Sequence, residues 1–497
     1  MKRQADQELD SLEKEVNRKS TLPNDNDLQQ QDGAVESKVN QEKKEDAEEG
    51  KNDKMSLPKC RVALIVGYNG SNFCGSQKQI KQLVKVFRNP DVRSVEEEIE
   101  KALYRLGAIS DYNYGDLKKI GWNRATRTDK RVHAIQNCFS CKIHISKDEN
   151  EDEEYRKKLN QELPEDIKVF AIIRPTNRFN TKLNADDREY SYFLPTFMFK
   201  SMKDGWYGSG LNRKQKGNKT GEESKNQETN QEEEKKTSGI KIIRKDHRQN
   251  KEGGDDEEHF DNDHDAQYQD LYLFRNIDHI PKEEFASLYA YRLSDENKQR
   301  VQQLFTMFMG SKKYHNYTKQ IRAHQMAAQR FMMILKAEDF MYVNYETNEL
   351  TNKEDPKAIE FIHFFLKGQS FLYNQIRKMI GVMIQVFRGD LDDKFIPNSQ
   401  RDNVVNVALA PGDGLLLEKV CYEKYNANKR DIKNDIFIKY VAAHQEVKEF
   451  REQLVRHIAQ REIADKAFTK WLSQFDDYSE DYYIDKPPQA AELKIRL

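Results

Sequence analysis

Residues Gly121–Lys142 read GWNRATRTDKRVHAIQNCFSCK, a basic run that passes into a β-like pattern. The run contains a single carboxylate, Asp129. The cations within five residues of it are Arg124, Arg127, Lys130 and Arg131. Between Ile135 and Ile145, apolar residues are separated by polar or small ones, which predicts a strand. Asp129 is therefore expected on a loop that leads into a strand.

A single acid in a basic loop has two interpretations. It makes surface ion pairs, each worth about 0–1 kcal/mol. Alternatively, it is a nucleophilic carboxylate that nearby cations keep ionised, in a site that attracts a polyanion. Charged loops are common and active sites are few, so the local sequence favours the first interpretation and the rest of the chain must decide.

Composition divides the chain into two acidic segments and a basic remainder. The 497 residues are 34% charged and 37% hydrophobic, with a net charge of −1. Residues 1–57 carry about −5 and residues 208–268 about −3, which leaves about +7 on the remainder. A modestly basic core suits an anionic partner. Both acidic segments lack enough apolar residues to form a core and are predicted to be disordered.

Several classes of protein are disfavoured by the sequence. Five cysteines in this length do not suggest a disulfide framework, so a reducing compartment is expected. No apolar run approaches the length of a membrane span, and the start of the chain lacks a signal-peptide core. Cys138 and Cys141 resemble a metal motif, but on a strand they point to opposite faces, and no second cysteine pair follows. No metal is predicted.

The ordered segments mix strands with amphipathic helices. Helices are predicted after Ser94, from Ser294 to about Met309, from about Leu372 to Arg388, and over much of the C-terminal region. Predicted strands include 61–66, 331–337, 341–345 and 359–366. The glycine-rich segment that follows the first strand matches neither phosphate-binding fingerprint, so an irregular turn is predicted there. Without strict β-α alternation, this pattern favours an α+β sheet.

Several segments along the chain carry a resemblance to a known family: GYNGSNFCGSQ (67–77), RTDKRVHA (127–134), RFN followed by REYSY (178–192), MGSKKYHNYTK (309–319), QSFLYNQIRKMIG (369–381) and APGDGLLLEKVCY (410–422). Taken in order, they resemble the TruA family of tRNA pseudouridine synthases in its eukaryotic branch. The match covers most of residues 60–425 outside the acidic insertion. No single segment is decisive, and the order of all of them carries the resemblance.

The resemblance implies an architecture. Two ferredoxin-like halves would join into one mainly antiparallel sheet, with helices on one face and an RNA-binding cleft between the halves. The expected domains are a disordered tail (1–57), an N-terminal catalytic half (58–207), a disordered insertion (208–268), a C-terminal half (269–426) and a helical extension (427–497).

The resemblance also implies a function and a set of site residues. The protein would isomerise uridines to pseudouridine in tRNA, without a cofactor or metal. Asp129 is the implied catalytic residue, supported by Arg127 and by Arg377, which would pair with the carboxylate. Tyr190 would stack on the target base, and Leu415 would line the uracil pocket. An ionised aspartate can act on the sugar or the base. A stacking tyrosine would hold the base once it has left the RNA stack.

One position departs from the family pattern. Arg131 stands where the catalytic motif usually has glycine, which is awkward if that glycine needs positive φ. Asn374, where many relatives carry histidine, is a milder departure. Retained activity is the main expectation, and a catalytically silent tRNA-binding or folding factor is the alternative. A carboxylate-metal nuclease lacks an acid cluster around Asp129, and a zinc deaminase lacks its His-x-Glu and cysteine pair.

The expected partner is tRNA, with other structured RNA left open and no membrane involved. Both a monomer and a homodimer are compatible with the sequence. The nucleus is the expected location, by the resemblance to the eukaryotic branch and by the charged termini, with the mitochondrion left open.

Overall fold

A ten-stranded sheet organises the part of the chain described by this computed structural model, residues 57–78, 93–200, 282–427 and 445–474. The strands are β1 (Lys59–Tyr68), β2 (Asn123–Arg124), β3 (His133–His144), β4 (Ile167–Ile173), β5 (Asp187–Pro195), β6 (Gly310–Lys313), β7 (Gln329–Asn344), β8 (Leu350–Thr351), β9 (Ala358–Gly368) and β10 (Leu415–Cys421). The tail 1–57, apart from Leu57, and the insertion 208–268 lie outside the described residues.

The helices connect and cover these strands. They are α1 (Val95–Arg105), α2 (Asp152–Glu162), α3 (Lys282–Tyr289), α4 (Asp295–Thr306), α5 (Gln375–Arg388), α6 (Phe395–Ser399), α7 (Glu423–Ala427), α8 (Gln445–Asp465) and α9 (Ala467–Gln474). Within the described residues, no helix combines the length and the apolar character that crossing a bilayer requires.

The strand order places a late strand among early ones. The order is β4-β1-β3-β10-β5-β9-β7-β6, with β2 paired to β3 and β8 to β7. Strand β10 is parallel to β3 and antiparallel to β5, and the other pairings are antiparallel. The predicted α+β class and the mainly antiparallel sheet are confirmed. The two ferredoxin-like halves, the helices on one face and the cleft remain predictions.

Strand β1 forms the centre of the first part of the sheet. Its residues Val62–Val66 are completely buried, and β3 and β4 pair with its two edges. An uninterrupted apolar run is what a strand covered on both faces requires. The strand predicted at 61–66 is confirmed and extends to Tyr68.

Helix α5 begins later than its apolar pattern predicts. The prediction began near Leu372, but the helix begins at Gln375 because Asn374 adopts φ +63 in the left-handed region. A left-handed residue ends the helical path on its N-terminal side. The predicted core-facing residues Ile376, Met379 and Ile380 are buried.

Strand β7 corrects another prediction. The sequence predicted two strands, at 331–337 and 341–345, whereas one strand runs from Gln329 to Asn344. Its register with β9 shifts between Ala337 and Phe340, around the acidic pair Glu338–Asp339. A bulge absorbs extra residues without ending a strand. The apolar pattern of the sequence is interrupted at this bulge, and the interruption led to the prediction of two separate strands.

The C-terminal extension contributes a helix to the core. The predicted apolar spacing is confirmed, because Val447, Phe450, Leu454 and Ile458 are all buried on α8. The ring of Phe450 lies against Phe170 of β4 and against the backbone of Gly67 on β1. Helix α8 therefore packs on β1 and β4.

Candidate active site

Asp129 lies on the loop between the short strand β2 and strand β3. Residues 126–132 of this loop are called here the aspartate loop. Its turn is closed by a hydrogen bond from the backbone N–H of Val132 to the carbonyl of Asp129, at 3.1 Å. The Asp129 side chain is half-buried, whereas Arg127 is exposed and has its Nη1 3.5 Å from Gln77 Oε1. The prediction of a loop that leads into a strand is confirmed.

Arg131 occupies the motif position with a glycine-like backbone. Its φ is +65, in the left-handed region that glycine favours. Its N–H donates to the carbonyl of Phe73 at 3.3 Å. The loop therefore adopts the conformation that the missing glycine would favour, with a long side chain in its place.

The glycine turn, residues 69–76, forms a close support for the aspartate loop. Ser76 N–H donates to the carbonyl of Thr128 at 3.1 Å, and Thr128 N–H donates to Ser76 Oγ at 3.0 Å. A Cβ on Gly75, whose φ is +94, would lie 2.9 Å from the Thr128 carbonyl oxygen. The sequence predicted only an irregular turn here, and it gave no signal that the turn contacts the loop.

His133 joins the glycine turn to the opposite side of the site. Its ring is buried; Nδ1 accepts the N–H of Gly70 at 3.1 Å, and Nε2 lies 3.2 Å from the carbonyl of Asp413. Since Nδ1 accepts, Nε2 carries the proton and donates. Burial, with a contribution from the neighbouring His457, lowers the pKa of His133 to about 4. The ring is therefore neutral near pH 7 and acts as a structural bridge.

Tyr190 lies on β5 beside the aspartate loop. Its hydroxyl is 3.3 Å from the hydroxyl of Thr126, and its ring packs edge-on against Phe371 with a centroid distance of 5.0 Å. Burial raises the pKa of Tyr190, and the negative charge of Asp129 adds to the rise. The contact with Thr126 places Tyr190 beside the loop that carries Asp129. Phe371 was within a quoted motif but was given no role by sequence reasoning.

Arg377 is buried near the start of α5 and fixes the turn that precedes β10. Its Nε donates to the carbonyl of Ala410 at 2.6 Å, and the N–H of Ala410 donates back to the Arg377 carbonyl at 3.2 Å. A Cβ on Gly412 would lie 2.6 Å from the carbonyl oxygen of Lys130. The turn held by Arg377 thus packs directly against the aspartate loop.

Leu415 begins β10 and is buried. It pairs with Tyr192 of β5, while Leu417 of the same strand pairs with Tyr190. The hydroxyl of Tyr192 donates to the carbonyl of Pro411 at 2.8 Å, which ties β5 to the same turn. The structure therefore brings Asp129, Tyr190, Arg377 and Leu415 to one region, with Arg127 at its exposed edge.

Two arginines close to the aspartate loop have structural partners. Arg124 belongs to the basic run, but its guanidinium forms an ion pair with the buried carboxylate of Glu96, with Nη2 2.9 Å from Oε2. Arg188 is buried and donates to the carbonyls of Gln369, at 2.8 Å, and Ala125, at 3.1 Å. It therefore links the start of the aspartate loop to the segment that carries Phe371.

Helix α8 supports the site from the C-terminal extension. His457 Nε2 lies 2.8 Å from Ser71 Oγ in the glycine turn. Arg461 Nε donates at 2.9 Å to the Asp413 carboxylate, which is almost fully buried. The helix thus contacts both elements that His133 bridges.

Within the described residues, one group of side chains has the spacing of metal ligands. Asp187, Glu189 and Cys421 place their ligand atoms within 4.8 Å of one another. Lys367 Nζ lies 3.4 Å from Asp187 Oδ1 and 3.1 Å from Glu189 Oε1, and Lys419 is 3.3 Å from Glu189. Two ammonium groups already balance the two carboxylates, so the group is an ion-pair network.

Comparison with known proteins gives a family match. The model of a tRNA pseudouridine synthase family matches residues 304–423. The tRNA pseudouridine synthase 1 of Kluyveromyces lactis is 28% identical over 456 residues, covering 88% of this chain and 73% of the relative. That of Eremothecium gossypii is 31% identical over 382 residues, covering 74% and 64%. The pseudouridylate synthase 1 homolog of Mus musculus is 24% identical over 418 residues, covering 84% and 74%.

Proposed function

This chain is a member of the TruA family of tRNA pseudouridine synthases, and from that premise we propose that it isomerises specific uridines in tRNA through Asp129. The observation that carries the proposal is the aspartate loop itself. Its backbone is held on one side by the glycine turn and on the other by the turn that Arg377 fixes, and the Tyr190 hydroxyl lies 3.3 Å from Thr126 of the loop.

The reaction needs no oxidant and no group donor. The N1–C1′ bond of uridine breaks, the uracil rotates, and a C5–C1′ bond forms. The proton on C5 leaves, and N1 gains one, so atoms and electrons balance within the nucleotide. An ionised carboxylate on a rigid loop can attack the sugar or the base and then assist the proton transfer. His133 is neutral and buried behind the loop, which leaves Asp129 as the group for this role.

The other site residues receive roles from their positions. Arg377 would pair with Asp129 and keep it ionised, since a guanidinium favours a charged carboxylate. Tyr190 would stack on the uracil after the nucleotide leaves the RNA helix, because C1′ cannot be reached within a stacked duplex. Leu415 would provide an apolar wall for the base, and Arg127, exposed at the edge, would meet the RNA backbone. The RNA would lie in a cleft between the two ferredoxin-like halves.

The test is pseudouridine formation by the purified protein on unmodified tRNA. Asp129→Asn keeps the size of the side chain and removes its charge, so product should fall below detection. Asp339→Asn is the matched control, because the Asp339 side chain is fully exposed on β7. Normal product formation by Asp129→Asn would refute the mechanism, and loss of product in both variants would indicate a general defect.

The alternative is a silent tRNA-binding or folding factor, and Arg131 motivates it. Its left-handed backbone keeps the loop in the conformation that glycine would favour, which supports retained activity. A silent factor would bind tRNA without forming product and would gain turnover in Arg131→Gly. Product formation by the unaltered protein excludes this alternative.

The biological setting is also part of the proposal. We infer tRNA as the substrate class and the nucleus as the location, and mapping pseudouridines in cells that lack the protein would identify the positions and any other RNA substrate. Imaging of a tagged protein would test the nucleus against the mitochondrion. Sedimentation would distinguish a monomer from a homodimer.

A further inference from the structure

Residues 297–337 contain eight Lys and Arg residues and no Asp or Glu. The chain as a whole balances 83 cations against 84 acids, so this acid-free segment is unusual within it. Three of its cations have carboxylate partners: Lys298 with Asp339, Arg300 with Asp393 and Lys313 with Asp402. Two other cations of this segment, Lys312 and Arg330, lie directly opposite each other on the neighbouring strands β6 and β7.

Arg330 at the start of β7 is held in an unfavourable setting for a charge. It is half-buried, and its Nε is buried without a hydrogen-bond partner among the described residues. One of its Nη atoms donates to the adjacent Gln329 carbonyl at 2.7 Å, and burial lowers its pKa. No carboxylate of the described ranges pairs with it. Burying part of a cation without a counterion is costly, which is expected where an anion arrives with a ligand.

The sheet register places Arg330 on the same face as Tyr190. Arg188 of β5 is opposite Gly368 of β9, and Gly368 is opposite Met332 of β7. Directly paired residues share a face, and so do residues two apart on one strand. Tyr190 is two residues after Arg188, and Arg330 is two residues before Met332. Both side chains therefore project from one face of the sheet.

Lys312 of β6 extends this face. It is directly paired with Arg330. With neighbouring strands about 4.8 Å apart, Arg330 lies about 10 Å across the sheet from the strand of Tyr190, and Lys312 about 14 Å. Phe371 lies in this region, because its ring contacts Tyr190 and a Cβ on Gly368 of β9 would meet that ring at 2.9 Å. Cations and aromatic rings thus continue outward from the proposed uridine site.

We propose that Lys312 and Arg330 form a phosphate-binding surface that holds the RNA backbone beside the target uridine. The inference rests on the proposed function for the identity of the anion as RNA. Its contacts are to phosphates, which position the strand and carry no sequence information. The surface therefore contributes to RNA affinity and to its salt dependence, and it takes no part in the chemical step.

The experiment replaces each cation by a neutral side chain of similar length and compares three variants. Lys312→Gln and Arg330→Gln remove the proposed contacts. Lys336→Gln is the matched control, because Lys336 is an exposed cation of the same strand and pairs with Phe365. Phe365 is opposite Ser191, whose side chain points away from the face of Tyr190. All three proteins are first compared by thermal unfolding.

The readouts are the dissociation constant for tRNA at several salt concentrations and the single-turnover rate with saturating tRNA. Each of the first two variants should weaken binding roughly three- to ten-fold and reduce the slope of log Kd against log salt by about one, with the saturated rate unchanged. Lys336→Gln should match the unaltered protein. Unchanged affinity and slope in Lys312→Gln and Arg330→Gln, or an equal loss in Lys336→Gln, would overturn the proposal.

The binding measurement also separates this inference from the proposed function. If the unaltered protein binds tRNA through these cations but forms no pseudouridine, the surface stands and the proposed reaction fails. If the protein forms pseudouridine and both variants bind normally, the reaction stands and the surface fails.

Discussion

The ring of His133 accepts a hydrogen bond from the backbone of Gly70 at 3.1 Å, directly behind the loop that carries Asp129. A Cβ on Gly70 would lie 2.1 Å from the Val132 carbonyl oxygen, so only glycine permits this approach. The other ring nitrogen donates to the carbonyl of Asp413. One neutral imidazole therefore fixes the separation of two turns that contact the aspartate loop.

This bridge predicts an acid-sensitive stability. Burial lowers the pKa of His133 from 6.5 to about 4 in the folded protein. Between those pH values the unfolded chain binds a proton that the folded chain does not, so the free energy of unfolding falls as the pH is lowered from about 6.5 to about 4. The full contribution is roughly 3 kcal/mol. Above pH 6.5 this residue should add no slope.

Chemical unfolding across that pH range measures the effect. His133→Asn, whose side-chain oxygen can still accept the Gly70 N–H, should show a shallower decline than the unaltered protein. His457, whose pKa is also lowered by burial, contributes to the decline in both proteins, so the difference between them isolates His133. Equal slopes would show that His133 is not the group that titrates.

Two glycines with nearly equal φ angles provide a matched pair. Gly75 has φ +94 and Gly115 has φ +96, yet a Cβ would meet the Thr128 carbonyl oxygen at 2.9 Å in the first case and nothing within 4 Å in the second. Alanine at either position should destabilise the fold by about 1–2 kcal/mol, since both carry the strain of positive φ. Only Gly75→Ala should also displace the residue before Asp129, and we expect at least a roughly ten-fold lower kcat.

Steady-state kinetics and thermal unfolding of the two variants separate the strain from the displacement. Equal kcat values in Gly75→Ala and Gly115→Ala would show that the glycine turn does not set the position of the carboxylate.

Arg131 carries the same backbone strain in the unaltered protein. Its φ is +65, so Arg131→Gly should raise the free energy of unfolding by about 1 kcal/mol through relief of strain. The same substitution should lower it by a similar amount, because glycine makes the unfolded chain more flexible. The net change should be small, and turnover should be retained. Lys130→Gly is the control: Lys130 does not have positive φ, so this substitution relieves no strain and at least about 1 kcal/mol should be lost.

Denaturant unfolding of both variants tests this expectation. A loss in Arg131→Gly as large as that in Lys130→Gly would mean that the Arg131 side chain stabilises the loop by contacts that exceed its backbone strain.

The sequence predicted the burial of individual elements better than it predicted the contacts between distant segments. Buried strand β1, the Ser94 cap and the apolar faces of α5 and α8 follow from local patterns, because each pattern reports burial of one element. The insertion of β10 between β3 and β5 joins segments almost 300 residues apart, and no local pattern contains that information.

In the candidate site, too, the sequence indicated the residues but not the contacts that support them. Its residues were named from a resemblance, but the support by Gly70, Gly75 and His133 and the structural use of Arg124 and Arg188 emerged only from contacts. A basic run does not reveal which of its cations already has a buried acid as partner. Glu96, which takes Arg124, is 28 residues away in the sequence.

Phe371 is expected to set the position of the Tyr190 ring. The two rings meet edge-on at 5.0 Å, and Gly368 leaves the room for this contact, because a Cβ there would lie 2.9 Å from the Phe371 ring. Edge-on aromatic pairs contribute about 0.5–1.5 kcal/mol beyond burial. Phe371→Leu should therefore lower kcat by about three- to ten-fold, with a smaller change in KM, if Tyr190 acts mainly once the base is flipped.

The control is Phe340→Leu, which replaces a half-buried ring on β7 that is paired with Ile362 in the middle of β9, away from Gly368. It should lose a similar amount of stability and keep its kcat. Gly368→Ala should reproduce the loss of kcat in Phe371→Leu without altering either ring chemically, because the added methyl group displaces Phe371. An unchanged kcat in both Phe371→Leu and Gly368→Ala would show that Tyr190 is held in place by its strand and by Thr126 alone.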